Sequence, residues 1–382
     1  MSAFVIPGLV LLAVILWDVF ETIILPRRVT RRFRLARMFY RWTWQPWRMV
    51  ACMLLHRKNL RESFLSYFGP LSLLALFVVW AVGLIFGFTI LQYSAGSAIN
   101  LAPNQHPGFW SDLYLSGTTF FTLGLGDVTP RTEAARIITV FEAGLGFGFL
   151  AIVISYLPVL YGAFSRREVE ISLLDARAGS PPSASEMLRR VAQRQNPRAL
   201  EQSLSDWEKW AAELMESHLS YPVLCYFRSQ HSNQSWLAAL TTVLDVSALL
   251  IAYGQGALKW QAKLTFAISR HALVDLAQVF STPPREFEEE RLPPDELHEL
   301  RKLLINAEIS TCCPEEDQHL AELRRMYEPY ARALSERLLM PIGKWAPAAK
   351  VVDNWRTSAW ARISAAEFDS SSLIESEEKE HF

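Results

Sequence analysis

The sequence predicts an all-α membrane protein, with three transmembrane helices, a re-entrant helix between the second and third, and a helical soluble half. Three observations predict it. The long apolar stretches fall within the first 162 of 382 residues. Charge divides at the same place, with 13 Lys/Arg and 7 Asp/Glu in residues 1–162 against 25 and 32 in residues 163–382. Beyond residue 162 apolar side chains recur at helical spacing, broken by proline pairs. A basic membrane part and an acidic soluble part argue against nucleic acid as a partner.

The first element, residues 3–25 (AFVIPGLVLLAVILWDVFETIIL), is long enough at about 1.5 Å per residue to cross a hydrocarbon core of about 30 Å. No basic residue precedes it and no small-x-small site follows before Arg27-Arg28, so it is expected to be an anchor rather than a cleaved signal. Asp18 and Glu21 are expected to pair with Arg27, Arg28 or Arg31. Residues 26–64 carry eleven Lys/Arg and are placed on the inner side. Trp42, Trp44 and Trp47 read as an interfacial belt, with part of residues 38–56 lying along the inner leaflet. Residues 1–66 thus form an N-terminal helix plus a basic interfacial segment.

Residues 70–91 form a charge-free second span, and residues 137–161 a third with one charge, Glu142. The connection 92–110 has no Lys or Arg. This places the amino terminus and residues 92–136 outside, and everything after Arg166-Arg167 in the cytosol.

Between these spans lies FWSDLYLSGTTFFTLGLGDVTPRT, residues 109–132. Trp110–Phe121 has the length of a short helix, opening after Pro107-Gly108 with Ser111 and Asp112 in its first turn. It leads into Thr122-Leu123-Gly124-Leu125-Gly126-Asp127. Successive carbonyls face one axis only if right- and left-handed residues alternate, and Gly124 and Gly126 adopt the left-handed state at little cost. Leu123 and Leu125 then turn their side chains from the axis.

This arrangement resembles the pore loop of bacterial two-span potassium channels, over about residues 70–162 of a pore module expected at residues 67–162. The resemblance implies a selectivity filter at Thr122, Leu123, Gly124, Leu125 and Gly126, K+ as the permeant ion, no cofactor, and a homotetramer, since one loop cannot encircle an ion. It implies a multi-pass protein of a bacterial cell membrane, in contact with lipid. The pore helix directs its negative dipole end at the ion path. The filter departs from the family pattern at Leu125, where an aromatic is usual. The resemblance also implies that Tyr114 bonds to Asp127, and that Gly146 is the inner-helix gating hinge, although small residues equally serve close packing. Glu142 has two readings, a cavity-facing carboxylate or a brace behind the filter bonded to Thr118 or Thr119. The brace is preferred, because the face shared with Gly146 touches the pore helix.

Residues 163–366 read as a helical cytosolic domain with runs at Pro197–His218, Ser235–Tyr253, Leu258–Phe280, Asp295–Ile309 and Gln318–Leu339, followed by an acidic tail at 367–382 expected to be disordered. The run 236–253 is apolar enough to span, but Asp245 favours a buried core helix. Gly254-Gln255-Gly256 lacks the third glycine of a nucleotide-binding turn, and no gating ligand suggests itself. His218, Tyr221, Arg228 and His231 near Cys225 are weighed as a ligand site and read as structural. Cys52, Cys225, Cys312 and Cys313 lack metal spacing and are read as thiols. No nucleophile–base pair, metal triad or phosphate loop points to an enzyme. The expected function is a potassium-selective channel assembled or gated by its soluble half. A weakly selective cation channel, or a membrane-anchored signalling or scaffold protein, are the alternatives.

Overall fold

A computed structural model describes residues 4–25, 34–54, 57–100, 106–194, 197–230, 233–286, 290–309 and 315–346. The acidic tail, His231, Cys312 and Cys313 lie outside these described residues. The described chain is almost wholly helical, and it divides into two compact units, residues 1–165 with 217–228, and residues 166–216 with 229–382.

The first unit begins with α1 (Val5–Val19), whose last turn widens to a π-helix over Phe20–Ile24. It lies along α4 (Phe68–Ser94), and glycines set the spacing. A Cβ on Gly87 would lie 2.6 Å from Leu12 Cδ2, and one on Gly8 would lie 2.9 Å from Leu91 Cδ2. Small residues of this kind let two membrane helices approach closely. Asp18 is buried and accepts from the Ala36 backbone N–H (3.1 Å) and from Trp80 Nε1 (2.9 Å). Glu21 accepts from Trp17 Nε1 (2.7 Å) and faces Arg34 at 3.7 Å. Arg27, Arg28 and Arg31 lie outside the described residues.

Amphipathic α2 (Leu35–Leu54) and short α3 (Lys58–Ser66) join these spans. The three tryptophans of α2 do not form one belt. Trp42 is 71% exposed, whereas Trp44 is 1% exposed, its ring 4.8 Å from Phe68 and 5.0 Å from Tyr226. Helical phase separates them, because residues two apart point to different faces.

After α4, a two-residue strand β1 (Ile99–Asn100) pairs antiparallel with β2 (Thr129–Pro130), in the register Ile99 to Pro130. Between the strands lies α5 (Phe109–Phe120) and the loop that follows it. α6 (Glu133–Ala178) runs 46 residues and passes Pro158 without ending, so the third span continues beyond residue 161 as one helix. The boundary between the units falls within it, after Ser165. The first unit is completed by Ser217–Arg228, a segment that the sequence assigns to the second half.

The second unit contains α7 (Ala184–Arg194), most of α8 (Pro197–Ser220), α9 (Trp236–Tyr253), α10 (Gly256–Val279), α11 (Pro294–Asn306), α12 (Glu315–Arg325) and α13 (Glu328–Leu338). The expected single helix at Gln318–Leu339 is therefore two, α12 and α13, with Pro329 in the first turn of the second. Among the described residues, four helical stretches are long and apolar enough to cross a membrane, and α9 is the fourth. All of α9 is buried inside its own unit, capped at Ser235, whose hydroxyl accepts from Ala238 N–H at 3.0 Å. Its one charge, Asp245, binds Arg291 through two bonds of 3.2 and 2.7 Å. Arg291 also reaches Glu328 at 2.8 Å, and both Arg291 and Arg324 stack on the Trp345 ring at 5.6 and 5.5 Å. Burial pulls the Arg291 guanidinium down, but Asp245, Tyr327 and Glu328 outweigh it and hold the group above its ordinary range.

Candidate functional site

α5 enters from an extended Gly108, and its first turn holds the buried Asp112, which accepts the Ser97 hydroxyl at 2.5 Å. A carboxylate here suits the positive end of the helix dipole. The β1–β2 pair and the Arg131 N–H to Ala98 carbonyl bond (2.7 Å) tie the segment after α4 to the chain leaving the loop. Gln92 Nε2 donates to Thr139 Oγ1 (3.0 Å) and to the Ala135 carbonyl (3.2 Å), joining the end of α4 to the start of α6.

At the other end of α5, Thr122 N–H bonds to the Thr119 carbonyl (3.0 Å) and Leu123 N–H to that of Thr118 (2.8 Å). The chain then alternates. Thr122 has φ +56, Gly124 φ +55 and Gly126 φ +81, while Leu123 and Leu125 are not left-handed. Two of the three positive-φ residues are the glycines that the sequence singles out. Thr122 is the third, and it bears the cost of a non-glycine in that region. This alternation turns the intervening peptide groups in register, which lets a row of carbonyl oxygens serve as cation ligands. Leu123 and Leu125 are exposed in the single chain. Tyr114 Oη donates to Asp127 Oδ2 at 2.9 Å, across the loop.

Behind the loop the partner of Glu142 differs from the one the sequence predicts. Glu142 is completely buried, and its Oε1 is bonded to the Ser116 hydroxyl, not to Thr118 or Thr119. Thr118 bonds back to the carbonyls of Tyr114 and Leu115 (both 3.0 Å). Two residues earlier on α5, Ser116 faces the other helices and also donates to the Ile85 carbonyl of α4 at 2.9 Å. One hydroxyl therefore joins α4, α5 and α6. Glu142 Oε2 is buried with no bonding partner among the described residues.

One turn further along α6, a Cβ built on Gly146 would strike the backbone of Phe120, nearest its carbonyl oxygen. Gly144 and Gly148 would meet nothing within 4 Å. α6 is unbroken across all three.

Sequence reasoning missed Ser116, Gln92 and the Ser97–Asp112 pair. Their only signal is a polar residue at an apolar helical phase. Among the described residues, no group of three His, Cys, Asp or Glu could hold a metal ion. His218 is buried with Nδ1 3.1 Å from the Ser217 hydroxyl, and Arg228 pairs with Glu62 at 3.1 Å.

Comparison with known proteins fits this geometry. Residues 74–160 match the ion channel family. A curated relative, the uncharacterized membrane protein YdjJ of Bacillus subtilis (strain 168), is 23% identical over 221 residues, 58% of this chain. The chain spans 62% of the length of that relative. No solved structure matches the chain significantly. Residues 74–160, from α4 through α5 and the alternating loop into α6, are thus the part of the chain that is similar to the ion channel family.

Proposed function

We propose that the protein is a homotetrameric potassium channel whose filter is Thr122, Leu123, Gly124, Leu125 and Gly126, supported by Tyr114, Asp127 and Glu142. The observation that carries this reading is the left-handed backbone at every second residue, Thr122, Gly124 and Gly126, directly after α5. Each such loop supplies one quarter of a ring of carbonyls, and four copies close it. The exposed apolar face of α6 supports assembly, since its most apolar window is 11% buried against 50% for that of α4.

In this reading the chain lies in a bacterial cell membrane with its amino terminus outside and its second unit in the cytosol, where that unit assembles or gates the pore. Potassium is the permeant ion, Gly146 is a candidate hinge, and neither cofactor nor catalysis is invoked. The test is the reversal potential of the purified protein in liposomes under opposed potassium and sodium gradients. A potential near that of potassium is expected. Leu125 favours a second reading, a weakly selective cation channel, because it offers no hydrogen bond to brace the filter. A reversal potential near zero selects it. Absence of any flux from tetrameric protein selects a membrane-anchored scaffold instead.

A further inference from the structure

The structure assigns to Tyr226 and Phe227 a positioning role, holding the inner end of α6 in place and thereby setting how readily the pore opens. The role in opening rests on the channel reading above. The chain leaves the second unit after Glu216, enters the first unit over Ser217–Arg228, and leaves it again at Ser229. Within this excursion lies a short 3-10 turn, Pro222–Tyr226, and residues 223–227 are all buried.

The turn inserts aromatic rings among three elements of the membrane unit. Tyr226 lies 5.0 Å from Phe68 at the start of α4 and from Trp44 of α2, and stacks on Tyr40 at 6.0 Å. Phe227 contacts α6, with its ring 5.7 Å from Phe164 and 6.0 Å from Tyr161. Tyr221 adds a third contact, 5.5 Å from Tyr156 of α6. On the α4 side Phe227 occupies the space above Gly69, where a Cβ would lie 2.7 Å from Cδ2. Arg228 then closes the excursion by pairing with Glu62 of α3.

Interlocked aromatic packing of this kind has discrete arrangements rather than a continuum, because interiors are close-packed. Residues 217–228 are joined to the second unit by covalent bonds at both ends. A change in the second unit that alters the separation of Glu216 and Ser229 must therefore be passed to these rings, and through them to Tyr156, Tyr161 and Phe164. Those three residues lie ten to eighteen positions beyond Gly146 on the same helix.

The test uses the full chain, reconstituted and recorded as single channels. Phe227→Ala is expected to change open probability by roughly fivefold or more, at the low end of typical coupling between sites. Unitary conductance and reversal potential should stay as in the wild type. Gly69→Ala disturbs the same ring from α4 and should shift open probability in the same sense. In the Phe227→Ala background it should add nothing, since the ring it strikes is gone. Phe227→Leu, which keeps most of the volume, should restore wild-type opening, and it decides the matter if Phe227→Ala fails to assemble. Conducting wild type with unchanged open probability in assembled Phe227→Ala and Gly69→Ala overturns the proposal. A wild type that passes no current refutes the channel reading instead. The positioning of α6 is then judged by hydrogen exchange of amides 156–164, which Phe227→Ala must accelerate, and unchanged exchange overturns it.

Discussion

Replacing Gly146 by alanine tests the contact on which the loop's support depends. The added Cβ would lie 2.9 Å from the Phe120 carbonyl carbon and 3.0 Å from its Cα, and closer still to its oxygen. Ordinary contacts begin near 3.4 Å, so α6 must withdraw from α5 by about half an ångström or more. Overpacking in a close-packed region costs about 1–3 kcal/mol. Here the obstacle is backbone at the end of α5, which cannot rotate away, so about 3 kcal/mol per subunit is expected. Gly144→Ala and Gly148→Ala are the controls. Neither new methyl meets an atom within 4 Å, and alanine is favoured over glycine in a helix by about 0.5–1 kcal/mol, so both should be neutral or stabilising. Thermal dissociation of the purified assembly, read beside ion flux, separates the three. Gly146→Ala should lower the melting temperature and reduce flux, and its neighbours should do neither. Full stability and normal flux in Gly146→Ala would refute the close contact. A stabilised Gly146→Ala with slowed opening would instead favour a pure hinge.

Gly124→Ala and Gly126→Ala force a Cβ into left-handed backbone at about 1–2 kcal/mol per residue, repeated around a fourfold ring, so potassium flux should vanish while the tetramer survives; selective flux through either disproves the filter assignment. Glu142→Gln and Ser116→Ala should each lower open probability or relax potassium preference with little change in block by intracellular cations. Their double variant should be no worse than the stronger single one, and additive losses would separate the two residues. Tyr114→Phe removes a bond worth about 0.5–1.5 kcal/mol, and should weaken potassium over sodium preference, measured by reversal potential. Arg291→Met leaves the buried Asp245 without its cation, while Glu328 keeps Arg324 at 3.1 Å, at a cost of about 3–5 kcal/mol; an unchanged unfolding midpoint would show that the Asp245–Arg291 pair contributes little.

Much of the membrane unit is legible because lipid imposes coarse rules on sequence. Three apolar runs, one basic connection and a glycine alternation fall where helices and a loop must go. The Tyr114 to Asp127 bond follows from the resemblance alone. What escapes is phase and partner. Glu142 is bonded to Ser116 because of how α5 is rotated against α4, and no pattern in one sequence encodes that rotation. Trp44 looks like Trp42 until Tyr226 covers it. Asp18 takes N–H donors from Ala36 and Trp80, which lie 18 and 62 residues away in sequence. The passage of α6 through Pro158 shows the reverse case, a local breaker that does not end the helix. The apolar run at Trp236–Tyr253 is separable from a span by its lone charge and by the lack of charge asymmetry at its ends, and the partner of that charge, Arg291, stands 46 residues on.

The excursion of Ser217–Arg228 into the first unit has a consequence for how the protein is made. A ribosome delivers the end of the third span well before it delivers these residues. At about 5–20 residues per second, synthesis of residues 166–228 takes roughly 3–13 s. Throughout that interval Tyr40, Trp44, Phe68 and the bare backbone at Gly69 lack the rings that later cover them. This face of the first unit is therefore incomplete when its apolar helices have already been made. The arrival of Tyr226 and Phe227 thus becomes the last step in completing the first unit.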